Sequence, residues 1–200
     1  MRPEAIDALA WEKQGGLLPA IVQDAATLRV LMLGYMDRAA LQATLDSGFV
    51  TFFSRSRQRL WRKGETSGNA LACMSVAADC DGDGLLVLAR PAGPTCHRGT
   101  TSCFDGAPGD VLGELDALVE QRRAQPSPGS YTARLFAAGV RAIAQKVGEE
   151  GVETALAAVA QEDDAVLDES ADLLYHLLVL LRARGLSLDA ARGRLASRRG

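Results

Sequence analysis

No stretch of this 200-residue sequence comes near the roughly 18 consecutive apolar residues of a membrane span. The opening Met1-Arg2-Pro3-Glu4 carries no apolar core of the signal-peptide kind, so a cytoplasmic location is expected. A surplus of charge is also missing. With 22 Lys and Arg against 25 Asp and Glu, the net charge of −3 gives no electrostatic case for nucleic acid as a partner. No Gly-x-x-x-x-Gly-Lys-Ser/Thr segment exists, which excludes nucleotide chemistry of the P-loop kind. There is no internal repeat and no low-complexity tract. Cysteine is scarce: four residues, all from Cys73 to Cys103, which in a cytosolic chain point to metal rather than disulfides.

What is present is the composition of a soluble globular protein, 48% hydrophobic and 24% charged, long enough for one large domain or two small ones. The two halves differ in texture. Across residues 17–90 short apolar runs rich in β-branched and aromatic residues, such as 28–33, 49–53, 71–76 and 85–88, read as strands. A short helix is expected over 37–46, with Asp37 as N-cap and Gly48 just past its end. From Asp110 the period becomes helical, beginning with the stripe Leu112, Leu115, Leu118 and Val119. Ser130 is placed to cap a long helical stretch to about Ala160, bent at Gly139. Two more helices follow, over 164–183 and 187–197, the second capped by Ser187. The linker is Asp105-Gly106-Ala107-Pro108-Gly109, where strand-like composition gives way to helical. The expectation is a β-rich α+β domain over 1–107 and an all-α domain over 108–200.

Each half carries its own set of metal-ligand residues. In the first, Asp79, Asp81 and Asp83 alternate around Cys80, with Cys96, His97 and Cys103 downstream. If the segment is extended, the three carboxylates share one face and the thiol points away. Oxygen ligands suit Mg²⁺ and thiolates suit Zn²⁺, so one segment can serve two ions. An EF-hand is rejected, because the twelfth position of that loop is Arg90 instead of an acid. The cysteine spacings of 16 and 7 match no zinc finger. Three thiolates on an open, catalytic zinc, a closed four-cysteine site with Cys73, and plain core cysteines all remain open. His97 reads either as a proton shuttle or as a solvent-facing loop histidine.

Upstream of these lies a basic segment, Ser54 to Gly68, with five cations from Arg55 to Lys63 interleaved with hydroxyls and glycines. Such a loop holds phosphate, faces solvent, or contacts RNA. Trp61 either stacks on a base or packs in the core. In the second half, Glu149, Glu150 and Glu153 share a helical turn, and Glu169 and Asp172 repeat the i, i+3 spacing on the next helix. Two antiparallel helices would gather these acids around Mg²⁺; a solvated acidic face is the alternative. Leu156 and Val159, and Leu173, Leu174, Leu177, Leu178 and Leu181, are expected to place the acids near the packed side of each helix. Lys146 precedes the glutamates in the weaker orientation for a helix pair, which leaves it for a phosphate.

The residues themselves resemble a known pair of families. Met32 to Met36, Ser54 to Arg57, Leu60 to Gly68, Asp79 to Asp83, Gly93 to His97 and Ser102 to Phe104 resemble phosphoribosyl-AMP cyclohydrolase. Ser130 to Thr132, Gln145 to Glu150, Glu153 to Ala155 and Asp172 to Leu178 resemble phosphoribosyl-ATP pyrophosphohydrolase. Their order is that of the bifunctional histidine-biosynthesis enzyme. The resemblance implies that the second domain hydrolyses phosphoribosyl-ATP with Mg²⁺ on Glu149, Glu150, Glu153, Glu169 and Asp172. The first domain would then open the purine ring of phosphoribosyl-AMP, with Zn²⁺ on Cys80, Cys96 and Cys103 and protons moved by His97. Asp79, Asp81 and Asp83 would hold Mg²⁺ there, with Arg55, Arg57, Lys63 and Ser67 on substrate phosphate and Lys146 on the second domain's substrate. It further implies a homodimer whose zinc thiolates come from both chains. Gly34, Asp37 and Gly151 depart from the family's usual Ala, Asn and Ala. Two rival readings are a zinc-stabilised RNA-binding module, disfavoured by the acidity, and a fusion with one working half, disfavoured by intact ligands in both.

Overall fold

The structure, a computed structural model, describes Met1 and residues 3–198; Arg2 of the expected leaderless N-terminus and Arg199 and Gly200 of the expected second domain lie outside the described residues. The chain forms two units, Met1–Asp110 and Val111–Gly200.

In the first unit, two short 3₁₀ turns, Pro3–Ala8 and Trp11–Gln14, precede a four-stranded sheet. Its strands are β1 (Leu18–Asp24), β2 (Val30–Met36), β5 (Leu71–Ala78) and β6 (Leu85–Pro91), in the order β2-β1-β6-β5. β1 pairs antiparallel with β2 and parallel with β6, while β5 and β6 form an antiparallel hairpin. A separate hairpin joins β3 (Thr51–Ser54) to β4 (Arg59–Arg62). Between β2 and β3 runs α1 (Arg38–Ser47), started by the Asp37 carboxylate accepting from the Ala40 N–H and stopped by Gly48 at φ 71°.

Alternation along β1 puts Leu18, Ala20 and Val22 into the core and Ile21 outside. With Leu31, Met36, Leu41, Val50, Phe52, Leu71 and Val87 they form the buried centre of this unit. Each such side chain contributes about 1.5–3 kcal/mol on burial. Gly34 has a local reason: a Cβ there would lie 2.4 Å from the Phe52 ring. The flat aromatic occupies the room a methyl would need.

Three expectations need correction here. Leu28 is no strand residue; it sits at φ 56° in the β1–β2 turn, its N–H donating to the Asp24 carbonyl. The basic segment is no single loop, because residues 59–62 pair with β3. The segment from Asp79 to Asp83 is not extended but the turn of the β5–β6 hairpin, with Gly82 at φ 73°.

The second unit is all helix among its described residues: α2 (Val111–Ala124), α3 (Tyr131–Ala138), α4 (Val140–Ala160), α5 (Asp163–Ala183) and α6 (Leu188–Ala196). Ser130 and Ser187 cap as expected, accepting from Ala133 and Ala190 N–H. At Gly139 the chain breaks instead of bending, with φ 86° and ψ 171° separating α3 from α4. The α2 stripe is also displaced. Leu118 is exposed, and the buried face carries Gly113, Asp116 and Val119. Asp116 is satisfied there by a two-pronged pair with Arg182 of α5, at 2.7 and 2.6 Å. The core of this unit is small: Val119, Leu135, Ile143 and Val179. Of the residues expected on packed faces, Leu178 is buried and Leu173 and Leu181 are half-buried, whereas Leu156, Val159, Leu174 and Leu177 are exposed in the single chain, with Val159 at 87%. No helix among the described residues is long and apolar enough to cross a membrane.

Candidate functional site

Two sites emerge, one in each unit. In the first, a cleft of about 660 Å³ is lined from three directions. The β3–β4 hairpin and the turn after it supply Arg57, Lys63 and Ser67; the loop after β6 supplies Cys96, His97 and Cys103. That loop is shaped by its own hydrogen bonds. Cys96 N–H donates to the Thr100 carbonyl, and Gly99 N–H donates back to Cys96. Ser102 Oγ donates to the Val30 carbonyl at 2.7 Å and Cys103 N–H to Leu31 at 2.8 Å, pinning the loop to β2. Gly64 closes the turn from the hairpin at φ 84°; a Cβ there would meet the Ala70 nitrogen at 2.4 Å.

Cys96 and Cys103 are neighbouring thiols with different surroundings. The Arg98 backbone N–H and then the Thr100 hydroxyl lower the Cys96 pKa. Burial first, and then the adjacent Cys96, raise that of Cys103. Cys96 is therefore the thiol that ionises first. His97 is exposed, with Nδ1 3.9 Å from Cys96 Sγ. Lys63 is 8% exposed, and no ion pair or side-chain hydrogen bond engages it among the described residues. Its stem is buried while its ammonium opens on the cleft without a carboxylate partner, which suits a phosphate. Trp61 packs as a core residue, 5.8 Å from Phe52, and also lines the cleft.

Two expected residues are not brought to this cleft. Arg55 lies with its guanidinium 3.9 Å over the Tyr35 ring. Cys80 sits exposed in the β5–β6 turn, and among the described residues no group of three ligand atoms unites it with Cys96 and Cys103. Cys73 is half-buried in β5, its pKa raised by burial, and joins no such group either. The turn does gather Asp79, Asp81 and Asp83, whose oxygens lie within 4.8 Å of one another. Asp79 Oδ1 accepts from the Asp83 and Gly84 N–H groups, which sets the turn. Lys13 Nζ stands at 2.6 Å from Asp81 and 3.7 Å from Asp83, so a cation already occupies this oxygen cluster. Such a donor set fits a hard divalent ion.

In the helical unit, Glu150 of α4 and Glu169 and Asp172 of α5 present oxygens within 4.8 Å of one another. Glu150 is 4% exposed, and its carboxylate is held ionised by Lys146, 2.8 Å away. Lys146 reaches Glu149 too, at 3.0 Å, and these two bonds push its own pKa up. Its ammonium is thus committed to carboxylates instead of standing free. Glu149 faces Gln145 and Lys146 outside the cluster. Glu153 lies beside it: desolvation first, then the charges of Glu150 and Glu169, raise its pKa. Three carboxylates brought together from two helices, with one lysine bound to Glu150, are a donor set that fits Mg²⁺.

Sequence reasoning assigned no role to Tyr131, Thr132, Tyr175 and His176. The structure ties Thr132 Oγ1 to the Tyr175 hydroxyl at 2.8 Å and Tyr131 to His176 at 3.0 Å. The available signal was the i, i+4 spacing of Asp172 and His176, one of only two histidines in the chain.

Comparison with known proteins follows the same division. The family model of phosphoribosyl-AMP cyclohydrolase matches residues 32–105, and that of phosphoribosyl-ATP pyrophosphohydrolase matches residues 112–199. Proteins called histidine biosynthesis bifunctional protein HisIE align over nearly the whole chain. That of Xanthomonas axonopodis pv. citri is 65% identical over 195 residues, 98% of this chain and 95% of its own. That of Xylella fastidiosa (strain Temecula1) is 67% identical over 187 residues, covering 94% and 91%. That of Escherichia coli (strain K12) is 57% identical over 186 residues, covering 90% of each. The chain belongs to the family of bifunctional histidine-biosynthesis proteins, with a phosphoribosyl-AMP cyclohydrolase domain followed by a phosphoribosyl-ATP pyrophosphohydrolase domain.

Proposed function

We propose that this chain carries out two consecutive hydrolyses, each at a metal site in its own unit. The helical unit cleaves the α–β phosphoanhydride of phosphoribosyl-ATP, releasing pyrophosphate and phosphoribosyl-AMP. The β-rich unit then hydrolyses the N1–C6 bond of that purine. One observation carries the two-site reading: the thiol cleft and the acid cluster lie in different units, each inside the matching family segment.

In the helical unit, Glu150, Glu169 and Asp172 hold the cation, with Glu149 and Glu153 beside them. Mg²⁺ bound there neutralises polyphosphate charge and acidifies a water. Glu153, whose carboxyl is pushed up by desolvation and its neighbours, takes the proton of the attacking water. Lys146, released from Glu150 when the divalent ion takes its place, pairs with a phosphate oxygen.

In the β-rich unit, Cys96 and Cys103 of one chain hold zinc together with Cys80 of a second copy. A zinc ion on three thiolates keeps one position for water and lowers its pKa. His97, beside Cys96, would move the proton from water to N1 as water adds at C6 and the N1–C6 bond breaks, and zinc held by the thiolates would supply the acidified water. Arg57, Lys63 and Ser67 bind phosphate and the open side of Trp61 receives the base. Asp79, Asp81 and Asp83 take Mg²⁺ in exchange for Lys13.

Exposed apolar surface supports the homodimer. Leu33, Ile21 and Leu86 stand side by side across β2, β1 and β6 on the outer face of the sheet. The four-residue helical core leaves Val152, Leu156, Val159 and Leu167 uncovered, a stripe that a second copy would bury. Four free cysteines agree with a reducing, cytoplasmic setting. The test is incubation of the purified chain with phosphoribosyl-ATP, following pyrophosphate and the ring-opened product with and without chelator. Both products should form, and both should stop with chelator. Undiminished turnover in chelator refutes the metal reading.

A further inference from the structure

None of the roles above uses His176, which is 3% exposed on α5. Its ring touches three elements. Nδ1 lies 2.9 Å from the Asp172 backbone carbonyl and 3.6 Å from Glu150 Oε1 on α4, and Nε2 lies 3.0 Å from the Tyr131 hydroxyl on α3. A carbonyl oxygen only accepts, so Nδ1 carries the hydrogen and Nε2 accepts from Tyr131. The ring stands edge-on against both Tyr131 and Tyr175, at centroid distances of 5.9 and 5.1 Å, and those two rings stack on each other at 6.2 Å. Tyr175 is itself held by Thr132. Few side chains in this unit have so little freedom.

The acid cluster needs that rigidity. Its oxygens come from two helices, and Glu150 Oε1 is flanked by two cationic or N–H groups, Lys146 Nζ at 2.8 Å and His176 Nδ1 at 3.6 Å. Lys146 is a flexible, 32% exposed side chain that a divalent ion would displace. His176 is buried behind the carboxylate and stays.

We propose that His176 is a positioning residue for the helical cation site: its Nδ1–H, bonded to the Asp172 carbonyl on α5, sets the ring against Glu150 Oε1 of α4 at 3.6 Å, and Tyr131 fixes the ring from the other side. This rests on reading Glu150, Glu169 and Asp172 as metal ligands. His176 touches neither substrate nor the reacting atoms; it sets the spacing at which the carboxylates meet the ion. Groups that orient metal ligands typically account for roughly ten- to a hundredfold in affinity.

The test is Mn²⁺ binding without substrate, read from the free-Mn²⁺ paramagnetic resonance signal. It uses the full chain in an Asp81→Asn, Asp83→Asn background, so that the helical site is read alone. An asparagine amide places a donor where Nδ1–H stands, and a glutamine reaches only the Nε2 position. His176→Gln is expected to weaken Mn²⁺ binding about tenfold or more, with His176→Asn within about threefold of the parent. Tyr131→Phe, which leaves a half-exposed ring in place, is expected to lose about three- to tenfold. Urea midpoints by circular dichroism should match for the Asn and Gln variants. Equal losses in both, losses that track the midpoints, or no loss in His176→Gln would overturn the proposal. Glu150→Gln separates the two failures. If it abolishes Mn²⁺ binding while His176→Gln does not, only the positioning role falls; if it binds as the parent does, the cation site falls and this role with it.

Discussion

Replacing Lys146 with methionine should destabilise the metal-free helical unit and make it depend on a divalent cation. The substitution keeps the length of the apolar stem and removes the ammonium that lies 2.8 Å from Glu150 and 3.0 Å from Glu149. Glu150 is then a buried carboxylate facing Glu153, Glu169 and Asp172 with only His176 nearby. Stripping the partner from a fully buried ion costs about 3–5 kcal/mol. Lys146 is partly exposed and Glu149 more so, which brings the expected loss down to about 2–3 kcal/mol. For a unit this small, with a urea slope of roughly 1.5 kcal/mol/M, the midpoint falls by about 1–2 M.

The assay is built into the sequence. Both tryptophans, Trp11 and Trp61, lie in the first unit, so their fluorescence follows that unit while far-ultraviolet circular dichroism is dominated by the helices of the second. Only the dichroism transition should move, and saturating Mg²⁺ should recover most of it. The pH dependence has a definite sign. The Glu149 and Glu150 pKa values are held below their ordinary 4.5, by Gln145 first and by Lys146 first respectively, so their stabilisation is present above that pH and lost as pH falls below it. The Lys146 pKa is raised above 10.5 by Glu150 and then Glu149, so its contribution is present below 10.5 and lost as pH rises past the folded value. The gap between parent and variant should therefore be full between about pH 5 and 10 and close as pH falls well below 4.5. A dichroism shift under about 0.3 M, an equal shift in fluorescence, or a gap that Mg²⁺ leaves open would refute the reasoning.

Cys96→Ala should stop ring opening while phosphoribosyl-ATP still yields phosphoribosyl-AMP and pyrophosphate, as product chromatography will show. Glu150→Gln should do the reverse: no pyrophosphate from phosphoribosyl-ATP, but normal ring opening of supplied phosphoribosyl-AMP. Loss of both activities in either folded variant would dismiss two independent sites. Gly151 lies inside α4, where a Cβ would meet nothing within 4 Å, so Gly151→Ala should stabilise the helical unit by about 0.5–1 kcal/mol in urea melts. An unchanged or lower midpoint would mean that the space around Gly151 is filled in the assembled protein.

The parts of the fold legible in the sequence are those set by neighbours in the chain. Asp37, Ser130 and Ser187 cap helices because their side chains reach N–H groups three residues on. β1 lies inside the strand-like region that begins at residue 17 but is not delimited by it, because Pro19 breaks its apolar run and Gln23 and Asp24 end it; its central place depends on pairing with Val87, far along the chain, as well as with Met32. β4 hid within a run of arginines, since a two-stranded hairpin needs no apolar alternation on its solvent side. The site followed the same rule. Ligand types and helical spacings were readable, whereas the Lys146 engagement, the stacking of Arg55 on Tyr35 and the Tyr131–His176 bond were not.

By itself the sequence determined two domains, their order, and the chemical character of each ligand set, because composition, periodicity and donor type are local properties. The tertiary structure decided which donors meet. It put Cys96 and Cys103 in a cleft with Lys63, left Cys80 apart in a hairpin turn, and drew Glu150 to Glu169 and Asp172 but not Glu149. Distances across a sheet or between two helices follow from packing and register, and no spacing along the chain encodes them.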